Sequence, residues 1–201
     1  MQHEIMVDGV PIKGCEQHVY ILLNKPRGYI STAYDERGRR TVLDLLPPNS
    51  VRLYPVGRLD ADTEGVLLIT NDGEMTQGLL HPRFEIDKVY HAEVVGSVTM
   101  EKLNQLRHGI LLEDGMTAPA GIRLLSHRQD KTVVEVILHE GRNRQVRRMF
   151  AAIGCRVCAL RRVRFGALTL KGLSCGSSRH LTADEVRGLQ ILAGVKQSEA
   201  D

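Results

Sequence analysis

The stretch VGRLDADTEGVLLITNDG, residues 56–73, places a tight turn directly before an apolar run that is typical of a buried strand. Gly57 allows the backbone to turn sharply. Three acids stand between this turn and the strand: Asp60, Asp62 and Glu64. Arg58 can hold the nearby Asp60 carboxylate ionised, and an ionised carboxylate is a candidate nucleophile or base. The alternative for Asp60 is an ordinary surface Arg–Asp pair, and the other two acids are expected to bond local backbone amides.

Apolar runs on both sides of this stretch predict a sheet. We predict strands at residues 18–23, 52–56, 65–70, 88–95, 122–125, 132–139 and 156–165. Helices are predicted behind polar capping residues, at Asn71 or Asp72, Thr99 and Thr182. Strands and helices do not alternate regularly, and several connections are too short for the crossover that joins parallel strands. The sequence therefore predicts an α+β fold with a mainly antiparallel or mixed β-sheet core and flanking helices.

The segment HEGRNRQVRRMFAAIGC, residues 139–155, has the periodicity of an amphipathic helix. Apolar residues recur at the spacing of one helix face: Val146, Met149, Phe150 and Ile153. Arginines occupy another face: Arg144, Arg147 and Arg148. Gly154 follows, at a position where glycine commonly ends a helix. The segment therefore predicts a helix with one buried side and one arginine side.

Charge is unevenly distributed along the 201 residues. Eight arginines and no acid or lysine lie between Arg142 and Arg164, so this segment carries +8. Because the whole chain carries +3, the remainder carries −5. A concentrated arginine block on a mildly acidic protein indicates that one face binds a polyanion. The planar guanidinium is well suited to contacts with phosphates and bases. A solvated charged surface is the alternative.

Other features narrow the class of protein. The chain is 42% hydrophobic and 25% charged, as in globular proteins. No apolar run approaches about 20 residues, the length of a membrane-spanning helix, and no signal peptide is evident. We therefore predict a cytoplasmic protein with reduced cysteines. Cys155 and Cys158 have the spacing of zinc ligands but lack two further ligands nearby, so no metal site is predicted.

Five segments in order resemble the signature segments of RNA pseudouridine synthases, in particular those of the RsuA/RluB type. The 56–73 stretch is one of them. The others are ILLNKPRGYIST, HPRFEIDKVYHAEV, LHEGRNRQVRRMFAAIG and LRRVRFGALTLKGLSCGSSRHLT. Together they cover about residues 17–190. The resemblance implies the pseudouridine synthase fold, with a central cleft that binds RNA.

The resemblance also implies roles for individual residues. It makes Asp60 the catalytic aspartate and Tyr90 the residue that stacks on the target base, although an aromatic side chain that only fills the core is the alternative for Tyr90. An arginine of the EGRNRQVRR segment should pair with Asp60, and we place it at Arg142 in preference to Arg147. Arg58 is expected to help fill the gap left by the flipped base. Further residues are assigned to base flipping and RNA binding: Arg144, Arg147, Arg148 and Lys25.

The implied reaction converts uridine in RNA to pseudouridine. The uracil leaves its ribose nitrogen linkage, rotates, and rejoins through carbon. A paired base must first flip out of its helix at a cost of a few kcal/mol, and neutralised backbone phosphates can offset that cost. Asp60 then either attacks the sugar carbon or removes the neighbouring 2′ proton, and both routes stay open. No metal or organic cofactor is expected, because the reaction involves no redox change and no group transfer.

The sequence divides into one main domain and two short ends. Residues 1–16 resemble the last hairpin of the small N-terminal RNA-binding domain that many relatives carry, with Asp8-Gly9 as its turn. Residues 17–192 form the predicted catalytic domain. Residues 193–201 are predicted to be a flexible C-terminal tail.

The spacing of the segments resembles the large-subunit ribosomal branch more than the small-subunit branch. The implied substrate is one uridine of 23S ribosomal RNA near the peptidyl transferase region, and a monomer is expected. Two alternatives stay open: the same chemistry on 16S ribosomal RNA, and a non-catalytic RNA-binding or ribosome-assembly module that keeps the fold. A glycosidase with two opposed carboxyl groups would leave the arginine block unexplained.

Overall fold

The computed structural model describes residues 6–7, 10–11, 17–48, 50–128 and 131–195. The strands within these residues are β1 (Met6–Val7), β2 (Val10–Pro11), β3 (Tyr20–Lys25), β4 (Tyr54–Pro55), β5 (Glu64–Thr70), β6 (Lys88–Val95), β7 (Leu111–Leu112), β8 (Gly115–Met116), β9 (Gly121–Arg128), β10 (Lys131–Leu138), β11 (Arg156–Phe165), β12 (Leu168–Thr169) and β13 (Ser178–His180). The α-helices are α1 (Gly73–Leu80), α2 (Met100–His108), α3 (Gln145–Ala152) and α4 (Ala183–Ala193), and 3₁₀ helices span Val42–Leu45 and Pro82–Phe84. The predicted Asp8-Gly9 turn and the end of the predicted tail lie outside the described residues, although β1 and β2 pair as the predicted hairpin requires.

Nine of the described strands form one sheet. Its main path runs β13-β3-β5-β11-β6-β10-β9, while β4 pairs with β5 and β12 pairs with β11. Strands β5 and β11 are parallel, and the other neighbours in this sheet are antiparallel. The predicted α+β fold on a mixed, mainly antiparallel sheet is confirmed.

Strand β5 lies inside the sheet and carries the apolar run of the 56–73 stretch. It pairs with β3 along most of its length and with β11 near its start. Every residue of β5 after Glu64 is buried, which explains why the run is continuously apolar instead of alternating. The loop that precedes β5 is therefore attached to one of the most completely buried strands of the protein.

Helices cover the sheet in two groups. The apolar face of α3 packs into one buried cluster with residues of β6, β10 and β11. Helices α1 and α4 pack in a second cluster with β5. They approach so closely that a Cβ atom at Gly78 would lie 2.3 Å from the carbonyl oxygen of Ala193. The predicted tail therefore begins too early, because Ala193 is a buried residue of α4.

The predicted starts of three helices are confirmed by hydrogen bonds to their N-capping residues. Asp72 caps α1 by accepting from the Met75 N–H at 2.9 Å, Thr99 caps α2, and Thr182 forms the predicted capping box at the start of α4. Helix α3 differs from the prediction at its start. Arg144 has a left-handed backbone with φ +46° and stands before the helix, because the chain turns there instead of continuing the helical face.

Candidate active site

A cleft of about 510 Å³ opens between the loop that enters β5, strand β6 and the start of α3. Its lining includes these residues predicted from the sequence: Arg58, Asp60, Tyr90, Arg142 and Arg144. About half of the lining residues are polar or charged, and apolar side chains such as Leu138, Leu160 and Phe165 form much of the rest. Apolar surface combined with convergent polar groups can enclose a flat organic ring and fix its orientation.

The loop that carries Asp60 is held by hydrogen bonds from the segment after β3. Ser31 Oγ donates to the Leu59 carbonyl at 2.9 Å and accepts from the Leu59 N–H at 3.1 Å. The Gly28 N–H donates to the Ala61 carbonyl at 2.8 Å. The Asp60 side chain itself remains 26% exposed in the cleft. The backbone is therefore fixed while the carboxylate stays accessible.

Lys25 lies beneath the Asp60 loop and is fully buried. Its ammonium donates to four carbonyl oxygens at 2.9–3.4 Å, those of Pro26, Asp60, Ala61 and Thr63. Burial lowers the pKa of Lys25 to about 8, although nearby carboxylates oppose that shift. The assignment of Lys25 to RNA binding is therefore corrected, because the side chain has no accessible surface and organises the loop from below.

The carboxylates of the loop face two arginines of the α3 region. Arg144 Nη1 lies 3.6 Å from Asp60 Oδ2 and 3.2 Å from Asp62 Oδ1. Arg147 Nη2 lies 3.2 Å from Asp62 Oδ2 and also donates to the Asp62 carbonyl at 3.1 Å. Desolvation opposes ionisation of Asp62, but the two arginines outweigh it and lower the pKa of Asp62 below its usual value. Arg144 therefore links the two carboxylates.

Arg142 points away from Asp60, which corrects the predicted pairing. Its guanidinium donates to Glu140 at 3.0 Å and to the carbonyls of Gly115 and Met116 in β8. The resemblance placed the partner at Arg142, with Arg147 as the second choice, and assigned Arg144 to RNA binding. The left-handed turn at Arg144 instead presents that side chain to the loop.

Tyr90 and Arg58 both line the cleft, as the sequence led us to expect. Tyr90 is half-buried on β6, where it packs against two of the core clusters. Arg58 is exposed and forms no ion pair with any residue of the described ranges. Arg148 lies away from this group, since both of its terminal nitrogens donate to Asp114 at 2.8–2.9 Å.

Two cations of the cleft were missed at the level of sequence. Lys88 precedes Tyr90 by two positions in β6, and alternation along a strand places both on one face. Arg162 lies in β11 directly opposite Tyr90. The signal for Lys88 was available in the KVY triplet. Arg162 could not be separated from the other arginines of its block without the register of the sheet.

Among the described residues, no group of three or more histidine, cysteine, aspartate or glutamate side chains is arranged to hold a metal ion. In the same part of the chain, no helix is both long and apolar enough to cross a membrane.

Comparison with known proteins agrees with the fold and the cleft. The family described as RNA pseudouridylate synthase matches residues 19–152. The chain therefore belongs to the RNA pseudouridine synthase family, and the enzyme class expected from the five segments is confirmed.

Two relatives and one solved structure show how similar the chain is to known members of this family. Ribosomal large subunit pseudouridine synthase B of Bacillus subtilis is 49% identical over 192 residues, which cover 94% of this chain and 78% of that protein. The protein of the same name from Yersinia pestis is 42% identical over 182 residues, 86% of this chain and 56% of that protein. A crystal structure of a pseudouridylate synthase superposes with a TM-score of 0.79 at 32% identity, covering 89% of this chain and 76% of that chain.

Proposed function

We propose that this enzyme converts one uridine of 23S ribosomal RNA to pseudouridine, at a site near the peptidyl transferase region, and acts as a cytoplasmic monomer. The observation that carries the proposal is the Asp60 carboxylate, exposed in the cleft on a backbone that Lys25 and Ser31 hold rigid. Two relatives named for the large ribosomal subunit, at 49% and 42% identity, support the choice of RNA.

Asp60 is the catalytic group in this proposal. Once the uridine has flipped into the cleft, the carboxylate either attacks C1′ or takes the 2′ proton, and on both routes the bond from C1′ to N1 breaks. Tyr90 stacks on the free uracil while the ring rotates. Exposed Arg58, at the cleft, is placed to occupy the gap left in the RNA.

Arg144 is the proposed orienting partner of Asp60, in place of Arg142. Its guanidinium reaches Asp60 and Asp62 together. A planar fork held between two carboxylates limits the rotation of both, so the Asp60 oxygens are already aimed when substrate binds. Arg147 acts behind it by fixing Asp62.

The test maps pseudouridines in ribosomal RNA from cells that lack this gene, by carbodiimide labelling and primer extension. We expect one stop in 23S RNA to disappear, to return with the wild-type gene, and to stay absent with Asp60→Asn. Asp184→Asn is the matched control, because Asp184 is an exposed carboxylate on α4 outside the cleft. It should restore the stop completely.

Other results would change specific parts of the proposal. A stop lost from 16S RNA would move the substrate to the small subunit. Restoration of the stop by Asp60→Asn would remove Asp60 from the chemistry. Unchanged maps of both RNAs would favour a module that binds RNA without modifying it.

A further inference from the structure

Arg162 is a buried arginine whose hydrogen-bonding capacity is largely unused. Its side chain lines the cleft, and the residue is only 2% exposed. Nε donates to the Val66 carbonyl at 2.8 Å, but Nη2 has no hydrogen-bond partner within the described residues. No carboxylate of the described chain lies within ion-pairing distance of it. The guanidinium carbon lies 5.1 Å from the centroid of the Phe165 ring, and this cation–π contact offsets only part of the cost of burying a charge, which leaves a ligand to supply the remaining partner.

Lys88 places a second cation beside Arg162. Its ammonium donates to the carbonyls of Ile86 and His139, each at 3.2 Å, which leaves one of its three protons free. Burial lowers the pKa of Lys88, and the charge of Arg162 lowers it further. Two adjacent cations that repel each other in the empty cleft form a site that favours a negatively charged group.

The carboxylates that act on Lys88 are already engaged elsewhere. Asp87 and Glu140 both favour the charged ammonium. Asp87 pairs with Arg164 at 2.9 Å and with His139 at 3.2 Å. Glu140 accepts from Arg142 at 3.0 Å. Neither acid forms an ion pair with Lys88 in the described structure, so the two cations remain available to substrate.

The register of the sheet places these cations around the base-stacking residue. Arg162 is the cross-strand partner of Tyr90, and Lys88 lies two positions away from Tyr90 on the same face of β6. Across the sheet, Arg162 is also the partner of Gly65 in β5, close behind the Asp60 loop. A ring that stacks on Tyr90 therefore has the carboxylate near its sugar and the cations near its edge.

We infer that Arg162 and Lys88 bind the carbonyl oxygens of the flipped uracil and stabilise the negative charge that the ring carries after its bond to ribose breaks. This inference rests on the proposed function. When the bond from C1′ to N1 breaks, its electron pair moves onto the uracil ring and spreads over both carbonyl oxygens. The ring returns a pair when C5 bonds to C1′, after which C5 loses its proton and N1 gains one. The two cations act only while the ring is an anion.

A backbone phosphate fits this site less well than the base does. The flipped base is the part of the RNA that enters a pocket, whereas the phosphates remain in the strand outside it. Arg162 is almost completely buried, while exposed Arg58 is available to the backbone. The two possibilities differ in a measurable way, because a phosphate contact affects RNA affinity and a leaving-group contact affects the rate of bond cleavage.

The experiment compares RNA with uridine or 5-fluorouridine at the target site under single-turnover conditions. Fluorine withdraws electrons, so the fluorinated ring leaves as a weaker base and needs less stabilisation. Consumption of the target nucleoside is followed by nuclease digestion and mass spectrometry. The variants are Arg162→Gln and Lys88→Gln. Arg161→Gln is the matched control, because Arg161 is the exposed neighbour in β11 and does not line the cleft.

We expect Arg162→Gln to lower the rate on uridine RNA by about 100-fold, but by only about 10-fold on 5-fluorouridine RNA, since removal of one such donor usually costs this much. Lys88→Gln should follow the same pattern with a loss of about 10-fold on uridine RNA. RNA affinity should change by less than about 3-fold in both variants, and Arg161→Gln should resemble wild type on both RNAs.

Equal losses on the two RNAs, or losses confined to affinity, would overturn the inference. Thermal unfolding is measured for every variant, and if Arg162→Gln does not fold, the half-buried Lys88→Gln supplies the same test. A wild-type protein that consumes neither nucleoside would contradict the proposed function. An active wild type with unaffected Arg162 and Lys88 variants would contradict the inference alone.

Discussion

Two buried cations stand on opposite sides of Gly65 in the sheet. Lys25 of β3 and Arg162 of β11 are each its cross-strand partner, and they are 0% and 2% exposed. Lys25 donates to four backbone carbonyls, whereas Arg162 donates to one and keeps Nη2 unpaired. Lys25 and Arg162 are therefore almost equally buried but differ in how many of their hydrogen-bond donors the protein uses.

The difference separates a structural cation from one that is available to substrate. The hydrogen-bond donors of the Lys25 ammonium are all engaged by backbone carbonyls of Pro26 and the Asp60 loop before any RNA binds. The Arg162 guanidinium has no carboxylate partner within the described chain, and apart from its bond to Val66 it has only a cation–π contact with the Phe165 ring at 5.1 Å. Gly65 makes the Arg162 arrangement possible, because a Cβ atom there would lie 2.1 Å from the Arg162 carbonyl oxygen. Only glycine lets β11 approach β5 this closely at that point.

The largest expected effect is on stability. Lys25→Met removes a donor from four carbonyls, of which those of Asp60 and Ala61 keep a backbone N–H donor while those of Pro26 and Thr63 lose the ammonium, so we expect it to lower the free energy of unfolding by about 3 kcal/mol. Arg162→Met removes one donor from one carbonyl and should cost about 1 kcal/mol or less, since buried charges are often replaced by apolar groups at little cost. Urea unfolding followed by circular dichroism measures both.

Equal destabilisation of the two methionine variants would contradict the distinction between Lys25 and Arg162. That result would mean that Arg162 is held as firmly by the protein as Lys25 is. Activity is the second measurement on the same proteins, and there the order should reverse once unfolding is taken into account: Arg162→Met should be the slower of the two in the folded state.

A smaller effect is expected from the arginines that face the Asp60 loop. Arg144→Gln removes the group that joins Asp60 to Asp62, and we expect the single-turnover rate to fall about 30-fold, the equivalent of about 2 kcal/mol. Arg142→Gln is the matched control, because that side chain bonds Glu140 and the carbonyls of β8. It should change the rate by less than about 3-fold. A greater loss in Arg142→Gln would restore the pairing first suggested by the sequence.

The smallest effect concerns RNA affinity at the edge of the arginine block. Arg148 is paired with Asp114 at 2.8 Å, so a phosphate must compete with that carboxylate. We expect Arg148→Gln to raise Kd about 3-fold and to reduce the slope of log K against log salt by at most about 1. Arg187→Gln is the control, because Arg187 is also paired with an acid but lies on α4. Identical salt slopes for the two variants would show that Arg148 makes no phosphate contact.

The elements of the fold were largely predictable because their signals are local. A cap such as Asp72 or Thr182 and a continuous apolar run such as that of β5 depend on neighbours within a few residues. Strand β4 is shorter than expected. It pairs with β5 only at Thr70 and Ile69, on the edge opposite β3, and Pro55 has no N–H with which to extend the ladder. The order of the strands was not predictable, because each pairing depends on residues far apart in the chain.

The types of residue in the site were predictable, but the contacts between their side chains were not. The acid loop, the aromatic residue and the arginine segment all reach one cleft. The resemblance left Arg142 and Arg147 as partners of Asp60, whereas the left-handed turn at Arg144 brings that arginine to 3.6 Å from the Asp60 carboxylate. Lys25 and Arg162 could not be assigned from charge alone, because a cation in a sequence carries no sign of whether it will be buried.

By itself the sequence determined the class of enzyme, the secondary structure and the Asp60 loop, because segments of fixed spacing and local capping rules carry that information. Only the tertiary structure decided which cations support the loop and which face the cleft. The physical reason is that the role of a charge depends on its burial and on the partners of its hydrogen-bond donors. Both are set by contacts such as those of Lys25 with Thr63 and of Arg162 with Val66, which join residues 38 and 96 positions apart in the chain.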